Sequence, residues 1–343
     1  MRAVFLTSNG ATDKITLGDL PKPVPKQDEV LIEIKFSALN HLDIWVRQGW
    51  PGLKLAFPHI MGGDASGIVS QLGEGVTTFG VGEEVIIYPG VSCEKCSHCL
   101  MGWESLCSKY AILGEQVSGT EAEWVAVPVG NVFKKPKHLS FQEAASVPLV
   151  FTTAWQMLVV RAKIREGDRV LIHGAGSGVS TAAIQIAKLF GAEVAVTSSR
   201  KEKLEKAKSL GADILILSTE KDFAKEVKRH WLGGADIIVD HVGQVFWEQN
   251  IRCLRSGGTL VTCGATSGGA GITDLKHLFF RQLSLLGSTM GNKKDFEKIL
   301  GHIENKKLKA VVDREFLLSE VAEAHRYIED GKQFGKVVIK VSQ

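Results

Sequence analysis

The sequence has no long apolar run and little net charge, and these two absences exclude several classes of protein. No stretch approaches the about 18 uninterrupted apolar residues of a membrane-spanning helix, so a protein that spans a membrane is not expected. The 41 basic residues nearly balance the 38 acidic residues, which leaves no strong field to attract nucleic acid or an anionic membrane. The N-terminal residues lack an apolar signal segment, so we expect a cytoplasmic protein.

Cysteine is also scarce, and the placement of the cysteines is more informative than their number. Four of the six cysteines are Cys93, Cys96, Cys99 and Cys107, which lie close together in the chain. Without an export signal, such bunching favours metal thiolates over disulfides. Four thiols at this spacing predict one tetrahedral zinc site per chain. Because four thiolates leave no open position for water, the zinc is predicted to be structural.

The length and the changing texture of the chain indicate two domains. A chain of 343 residues is longer than the ~250–300 residues at which single cores stop growing. Short alternating runs at 28–39, 63–73 and 83–90 are separated by glycine and proline and predict a β-rich beginning. From about Ser140 the composition becomes helical, with a break at Pro148.

A regular alternation of apolar strands and amphipathic helices follows. It begins at the strand 169–174 and ends at the strand 283–290. Six short apolar strands in such an alternation predict a parallel sheet covered on both faces, which is a doubly wound α/β domain of the Rossmann type. We therefore predict a Rossmann dinucleotide-binding domain over 151–290 and a β-rich catalytic domain over 1–150 and 291–343.

A glycine-rich turn joins the first parallel strand to its helix. Glycines in such a turn let the backbone approach a pyrophosphate, and the helix N-terminus supplies free N–H groups. Position 179 holds valine where the G-x-G-x-x-G pattern has its third glycine. Because the turn lies between a buried strand and a helix, dinucleotide binding is favoured over a plain connection. The predicted cofactor residues are Gly174, Gly176, Ser177, Gly178 and Val179.

The end of the second strand indicates which nicotinamide cofactor is bound. An acidic residue there would hold the ribose 2′-hydroxyl of NAD and repel a 2′-phosphate, and none is present. Ser198, Arg200 and Lys203 suit a phosphate instead. The same charges are also typical of a solvated helix start. The sequence favours NADPH, with NADH as the alternative.

Together these motifs resemble the medium-chain dehydrogenase/reductase superfamily, the group of zinc alcohol dehydrogenases and quinone oxidoreductases. The resemblance spans the chain through the segments PHIMGGDASGIV, FGVGEEV, SVPLVFTTAW and the closing FGKVVIKV. It implies a GroES-like β-rich domain, which carries the structural zinc lobe, and a Rossmann domain. It also implies that Thr153, Gly243, Gly264 and Ser288 line the dinucleotide.

The catalytic zinc site of the family's alcohol dehydrogenases does not carry over to this chain. Asn40 stands where the family has a cysteine ligand and Leu42 stands at the hydroxyl relay, so that only Asp43 matches. The expected Gly-His-Glu is Gly-Gly-Asp at 62–64, and the remaining cysteine falls near Leu149. Asn40 is the residue of the zinc-free quinone oxidoreductase branch. The resemblance thus implies a structural zinc and no catalytic zinc.

Loss of that zinc predicts the reduction of an electron-poor small molecule. An alkoxide would lack its Lewis acid, whereas a quinone or an α,β-unsaturated carbonyl accepts hydride at carbon and leaves an enolate that needs only hydrogen bonding and a proton. Asn40 is predicted to position the nicotinamide or the acceptor oxygen. His41, Asp43 and Asp64 are further catalytic candidates and His59 is a polar candidate, although the two histidines and Asp64 are also explained as structural side chains.

Two other functions stay open from the sequence. The first is a zinc alcohol dehydrogenase with an unusual ligand set of His41, His59 and Asp64, residue types that zinc accepts. The second is a noncatalytic protein that binds NADPH for stability. A count of zinc separates the first alternative from the reductase, and a panel of acceptors separates the second.

The last predicted strand of the parallel sheet indicates self-association. The segment LSLLGSTM at 283–290 is apolar and would leave an adhesive open edge. Pairing with the same strand of a second copy would cover that edge, and members of the family associate in this way. We expect a homodimer or a dimer of dimers.

Overall fold

The computed structural model describes residues 1–218 and 222–342. Their contacts divide the chain into two compact units. Unit 1 comprises Met1–Val150 and Gly291–Gln343, and unit 2 comprises Phe151–Met290. Within the described ranges, no helix is both long and apolar enough to cross a membrane.

The strands are short, and most of them carry a buried apolar face. Strands of unit 1 lie on both sides of unit 2 in the sequence. In chain order the strands are β1 (Arg2–Leu6), β2 (Ile15–Asp19), β3 (Glu29–Leu39), β4 (His59–Ile60), β5 (Asp64–Leu72), β6 (Glu84–Ile87), β7 (Gly90–Val91), β8 (Ala111–Ile112), β9 (Trp124–Pro128), β10 (Val132–Lys134), β11 (Arg169–Ile172), β12 (Glu193–Ser198), β13 (Ile214–Leu217), β14 (Ala235–Asp240), β15 (Leu254–Thr262), β16 (Ser284–Gly287), β17 (Val312–Leu317) and β18 (Lys336–Lys340).

The helices are concentrated in unit 2 and near the C-terminus. The predicted break at Pro148 separates two of them, and proline there occupies the first helical position, where its missing N–H costs nothing. In chain order the helices are α1 (His41–Gln48), α2 (Ser97–Leu100), α3 (Phe141–Ala145), α4 (Pro148–Trp155), α5 (Gly178–Leu189), α6 (Lys201–Lys208), α7 (Phe223–His230), α8 (Gln244–Cys253), α9 (Leu275–Phe280), α10 (Lys293–Glu304) and α11 (Val321–Glu329).

Unit 1 is built on a mixed sheet with the strand order β10-β6-β5-β3-β18-β17, in which β9 also pairs with β3. The β17–β18 pair is parallel, and the other pairs are antiparallel. The long strand β3 is the centre of this sheet. Its alternate residues Val30, Ile32 and Ile34 enter one apolar core, as the two-residue period of a strand requires. A smaller sheet has the order β2-β1-β4.

Unit 2 is a parallel six-stranded sheet with the order β13-β12-β11-β14-β15-β16. The chain first adds strands on one side of β11 and then on the other. The order therefore reverses between β11 and β14, and open α/β sheets bind ligands outside the carboxyl ends of the strands at such a point. The predicted fold class, a doubly wound parallel sheet with a second β-rich domain, is confirmed.

Candidate active site

Three polar residues meet at one end of three adjacent strands in unit 1. The register of the β3–β5 pair sets Asp64 opposite Ala38, and the β3–β18 pair sets Val337 opposite Leu39. Asn40 follows β3 directly, and Lys336 begins β18. Strand pairing alone thus brings Asn40, Asp64 and Lys336 together from distant parts of the sequence.

These three side chains form a buried hydrogen-bonded group, which we call the Asn–Asp–Lys group. The Lys336 ammonium donates to Asn40 Oδ1 at 2.5 Å and to Asp64 Oδ2 at 2.8 Å. Asn40 Nδ2 donates to Asp64 Oδ2 at 3.0 Å, and Asp64 Oδ1 accepts the backbone N–H of Leu149 at 2.8 Å. Both carboxylate oxygens of Asp64 accept hydrogen bonds. The buried charges of Lys336 and Asp64 are therefore both hydrogen-bonded, although water is excluded from them.

The predicted catalytic residue Asp43 caps the helix that follows Asn40. Asp43 Oδ2 accepts the backbone N–H of Asn40 at 2.7 Å, and Oδ1 accepts that of Gly62 at 3.2 Å. The bond from the Asn40 N–H is the one that the N3 residue of a capping box accepts from the backbone of the N-cap residue. Burial raises the pKa of Asp43 to about 6, although the Asn40 N–H and the nearby Lys336 cation lower it. Asp43 therefore fixes the backbone at Asn40.

A second buried carboxyl, Glu121, lies close to Asp43. It has no exposed surface, and neither of its carboxyl oxygens is hydrogen-bonded within the described chain. Burial, together with the negative charge of Asp43, raises the pKa of Glu121 well above its usual range. Both effects favour the neutral form of this buried carboxyl.

The two histidines proposed from the sequence have separate surroundings. His59 is buried, and its Nε2 lies 3.0 Å from the carbonyl oxygen of Gly114. His41 packs edge-on against Trp45. Burial lowers the pKa of both histidines. His41, His59 and Asp64 do not form a group of converging ligand atoms in the described residues.

The four clustered cysteines do converge. The sulfur atoms of Cys93, Cys96, Cys99 and Cys107 all lie within 4.8 Å of one another. Backbone N–H groups of Lys95 and Cys96 lower the pKa of the Cys93 thiol to about 6. Four convergent sulfurs on a loop are the donor set of a closed tetrahedral zinc site, so the predicted ligands fit a structural zinc.

The glycine turn of unit 2 leads into α5 at the switch point of the sheet. Gly174 has φ +61°, a conformation that glycine adopts without strain. Gly176 follows in the turn, and Ser177 is the N-cap, whose hydroxyl accepts the N–H of Ser180 at 3.0 Å. The N–H groups of Gly178 and Val179, which begin α5, have no partner inside the helix and suit a phosphate.

Three of the other predicted cofactor residues come just after strands along the same edge. Gly243 follows β14 with φ +85°, and the Asp240 carboxylate accepts its N–H. Gly264 follows β15, and Ser288 follows β16. The Ser288 hydroxyl oxygen is buried and pairs with no described residue, which leaves it available to a bound dinucleotide. Thr153 lies on α4 with its hydroxyl 3.9 Å from Met290 Sδ.

The residues predicted to choose the cofactor lie at the end of β12. Ser198 is the last residue of the strand, and its hydroxyl accepts the backbone N–H of Arg200 at 3.1 Å. The Arg200 side chain is partly exposed and lies 4.0 Å from the Glu202 carboxylate. Lys203 lies in the first turn of α6 with its side chain largely buried.

Three residues of these sites were not predicted as functional from the sequence. Lys336 lies in the closing strand KVVIK, where a lysine in an apolar run was the available signal. Glu121 interrupts a buried segment between Thr120 and Ala122. His241 follows β14 and contacts the glycine turn.

Two family models match the chain, one in each half of the sequence. Residues 26–137 match the alcohol dehydrogenase GroES-like domain, and residues 178–305 match the zinc-binding dehydrogenase domain. The acryloyl-coenzyme A reductase of Sulfurisphaera tokodaii is 30% identical over 99% of this chain and 100% of its own length. The chain therefore belongs to the medium-chain dehydrogenase/reductase superfamily and is an NAD(P)-dependent oxidoreductase of that type.

Solved structures show the same fold over the full length. A crystal structure of an NAD-dependent alcohol dehydrogenase is 48% identical, covers 100% of both chains and has a TM-score of 0.97. A 2-octenoyl-CoA carboxylase reductase in complex with NADP and 2-octenoyl-CoA is 27% identical, with a TM-score of 0.89 over 99% of this chain and 87% of that one. The superfamily thus includes relatives of two chemistries.

Removal of the Lys336 cation should destabilise unit 1 strongly. Lys336→Met leaves Asp64 as a buried carboxylate without its counter-ion, and we expect a loss of about 3–5 kcal/mol in the free energy of unfolding. Urea denaturation followed by circular dichroism measures it. The control is Lys340→Met on the same strand, and the double variant Lys336→Met/Asp64→Asn should recover part of the loss. Purely additive effects of the two substitutions would contradict the pairing.

Zinc content should depend on the four-cysteine lobe. The wild-type chain is expected to hold about one zinc, and Cys96→Ser should lose most of it together with part of the thermal stability. Metal analysis of protein dialysed against a weak chelator measures this. Cys263→Ser, which lies outside the lobe, is the matched control. Equal zinc content in Cys96→Ser and wild type would show that the thiols do not hold the metal.

Proposed function

We propose that this protein transfers hydride from NADPH to the carbon–carbon double bond of an α,β-unsaturated carbonyl compound, without a catalytic metal. Enoyl thioesters are the favoured acceptor class, and quinones are the alternative. The observation that carries the proposal is the Asn–Asp–Lys group. By the resemblance, two of its members, Asn40 and Asp64, occupy positions that belong to the catalytic zinc site in alcohol dehydrogenases of the superfamily.

The atoms in this group that could bind a metal already form hydrogen bonds within the protein. Asp64 accepts three hydrogen bonds, from Lys336, Asn40 and the Leu149 N–H. The positive charge beside Asp64 is the Lys336 ammonium, 2.8 Å away. A zinc ion needs three or four free N, S or O ligands, and the neighbouring ligand positions hold Gly63 and Leu149. The group therefore supports chemistry that does not require a metal-bound alkoxide.

The ammonium acts on the acceptor through Asn40. Lys336 binds Asn40 Oδ1 and draws electron density from the amide, which makes the amide N–H bonds stronger donors. One N–H of Asn40 binds Asp64, whereas the other has only a long 3.4 Å contact with the Ala38 carbonyl. This second N–H is available to stabilise the negative oxygen that develops on the acceptor.

The reaction balances with one proton from the solvent. The glycine turn would hold NADPH, which would supply the hydride that the β-carbon of the acceptor takes up and would become NADP⁺. The electron pair of the double bond moves toward the carbonyl oxygen, which Asn40 stabilises, and water supplies the proton that the α-carbon takes up. The product is the saturated carbonyl compound.

Two relatives support this acceptor class. One is an acryloyl-coenzyme A reductase, and the other was solved with NADP and 2-octenoyl-CoA. Both names describe a double bond conjugated to a thioester. The strand end around Ser198 and Arg200, which has no acidic residue at 197–201, supports NADPH over NADH.

Alcohol dehydrogenation is the second candidate. The 48%-identical solved structure is named an NAD-dependent alcohol dehydrogenase, and that name favours an alcohol and NAD. This function would require a second zinc in unit 1, held by a ligand set that differs from the family's usual one.

Steady-state assays test both candidates. The protein should oxidise NADPH with crotonyl-type thioesters, enones or quinones, with higher kcat/KM for NADPH than for NADH. Asn40→Ala should lower kcat about 10²-fold, because a donor to the developing oxyanion is lost. The exposed Asn305→Ala is the control. Zinc is counted on the same sample.

Other outcomes select the other functions. Alcohol oxidation together with about two zinc ions per chain would favour the alcohol dehydrogenase. Cofactor binding without turnover of any acceptor would favour a noncatalytic protein. Wild-type kinetics in Asn40→Ala would remove Asn40 from the mechanism.

We also propose that two copies associate through β16. This strand is last in the sheet order, so its outer side has no neighbour among the described strands. Leu275, Phe279 and Phe280 on the adjacent α9 are largely exposed. Apolar surface next to an open edge is typical of an interface.

Light scattering should give about twice the chain mass of 37.3 kDa, or a multiple of that value. Phe280→Glu should shift the protein toward the monomer, because a charge would enter the apolar interface. Exposed Leu232→Glu, in the same unit, is the control. A monomeric wild-type protein would refute the proposal.

A further inference from the structure

A histidine stands at the point where the strand order of unit 2 reverses. His241 directly follows β14, and the glycine turn follows the neighbouring strand β11. Parallel neighbours end at the same edge, so His241 and the turn lie next to each other at the switch point.

The imidazole of His241 is hydrogen-bonded to both serines of the turn. His241 Nε2 lies 3.0 Å from Ser177 Oγ, 3.0 Å from Ser180 Oγ and 3.1 Å from the carbonyl oxygen of His173. A carbonyl oxygen can only accept, so Nε2 carries the proton and donates into this cluster.

The two serines extend the cluster into the backbone. Ser180 Oγ donates to the His173 carbonyl at 2.6 Å, and it lies 2.8 Å from Ser177 Oγ. Ser177 Oγ in turn accepts the Ser180 N–H and so caps α5. The end of β11, the glycine turn, the start of α5 and the end of β14 are thus joined by three side chains.

The imidazole ring of His241 also fills the space beside Gly174 in the turn. A Cβ on Gly174 would lie 3.0 Å from His241 Cε1, so the ring packs directly on the glycine backbone. The Ser177 cap satisfies the N–H of Ser180 and leaves those of Gly178 and Val179 for an anion.

We propose that His241 is a positioning residue for the dinucleotide. It holds Ser177 and Ser180 so that the N–H groups of Gly178 and Val179 face the pyrophosphate. This inference rests on the proposed use of NADPH and is independent of the acceptor. Positions 177 and 180 of the turn hold serines, whose hydroxyls form hydrogen bonds with the imidazole. Glycine at either position would have no side chain to do so.

Direct binding measurements test the role. Titration of NADPH, followed by its fluorescence, should show a dissociation constant about tenfold higher for His241→Ala than for wild type, the effect of about one lost hydrogen-bonding group. His241→Gln should restore most of the affinity, because a glutamine amide N–H can reach the position of Nε2. His241→Asn, which is shorter, should restore less. His277→Ala, an exposed histidine of unit 2, is the control.

A mutant cycle separates positioning from general packing. In a Ser177→Gly/Ser180→Gly background, His241→Ala should change the dissociation constant less than twofold, because its partners are already gone. Thermal unfolding of each variant without cofactor is recorded in parallel. A tenfold loss in both backgrounds, or a loss that follows the unfolded fraction, would overturn the inference.

The assay also distinguishes this inference from the proposed function. Wild-type protein that binds neither NADPH nor NADH would contradict the proposed function itself. Wild-type protein that binds NADPH, with His241→Ala equal to it, would contradict the role of His241 alone.

Discussion

The buried ion pair between Lys336 and Asp64 is the constraint on which the structure of unit 1 depends. An ammonium and a carboxylate with at most 3% of their side-chain surface exposed are tolerated only where further hydrogen bonds satisfy them. Asn40 and the Leu149 N–H provide those bonds. The backbone of β3, β5 and β18 must therefore keep its register, since a shift of one residue would separate the charges.

Most of the fold followed from local patterns in the sequence. Apolar runs bounded by glycine predicted the parallel strands, because a strand buried on both faces must be apolar along its length. The break at Pro148 and the glycine turn at Gly174 were predicted for the same local reasons. Strand pairing in the β-rich unit was less accessible, since antiparallel partners such as β3 and β18 lie about 300 residues apart and no local pattern specifies their register.

The candidate site was predicted in part, and the residues that were missed have a common physical reason. The sequence identified Asn40 and Asp64 by position, yet their partner Lys336 is defined by a contact across two strand pairs. His241 similarly gains its partners only where β14 meets β11. Asp43 was a candidate because its position matches the family pattern, but its two oxygens are used by backbone N–H groups, which a sequence pattern does not reveal.

Under the proposed function, an ammonium takes the place of a catalytic metal, and this exchange would limit the chemistry of the site. A zinc ion with an open position binds an oxygen directly and lowers the pKa of a bound alcohol or water. The Lys336 ammonium instead donates to Asn40 and Asp64, so in the proposed reaction its charge would reach an acceptor only as polarisation of the Asn40 amide. Such a donor can stabilise the spread charge of an enolate more readily than the concentrated charge of an alkoxide. For this reason we propose hydride addition to a conjugated carbon rather than the oxidation of an alcohol.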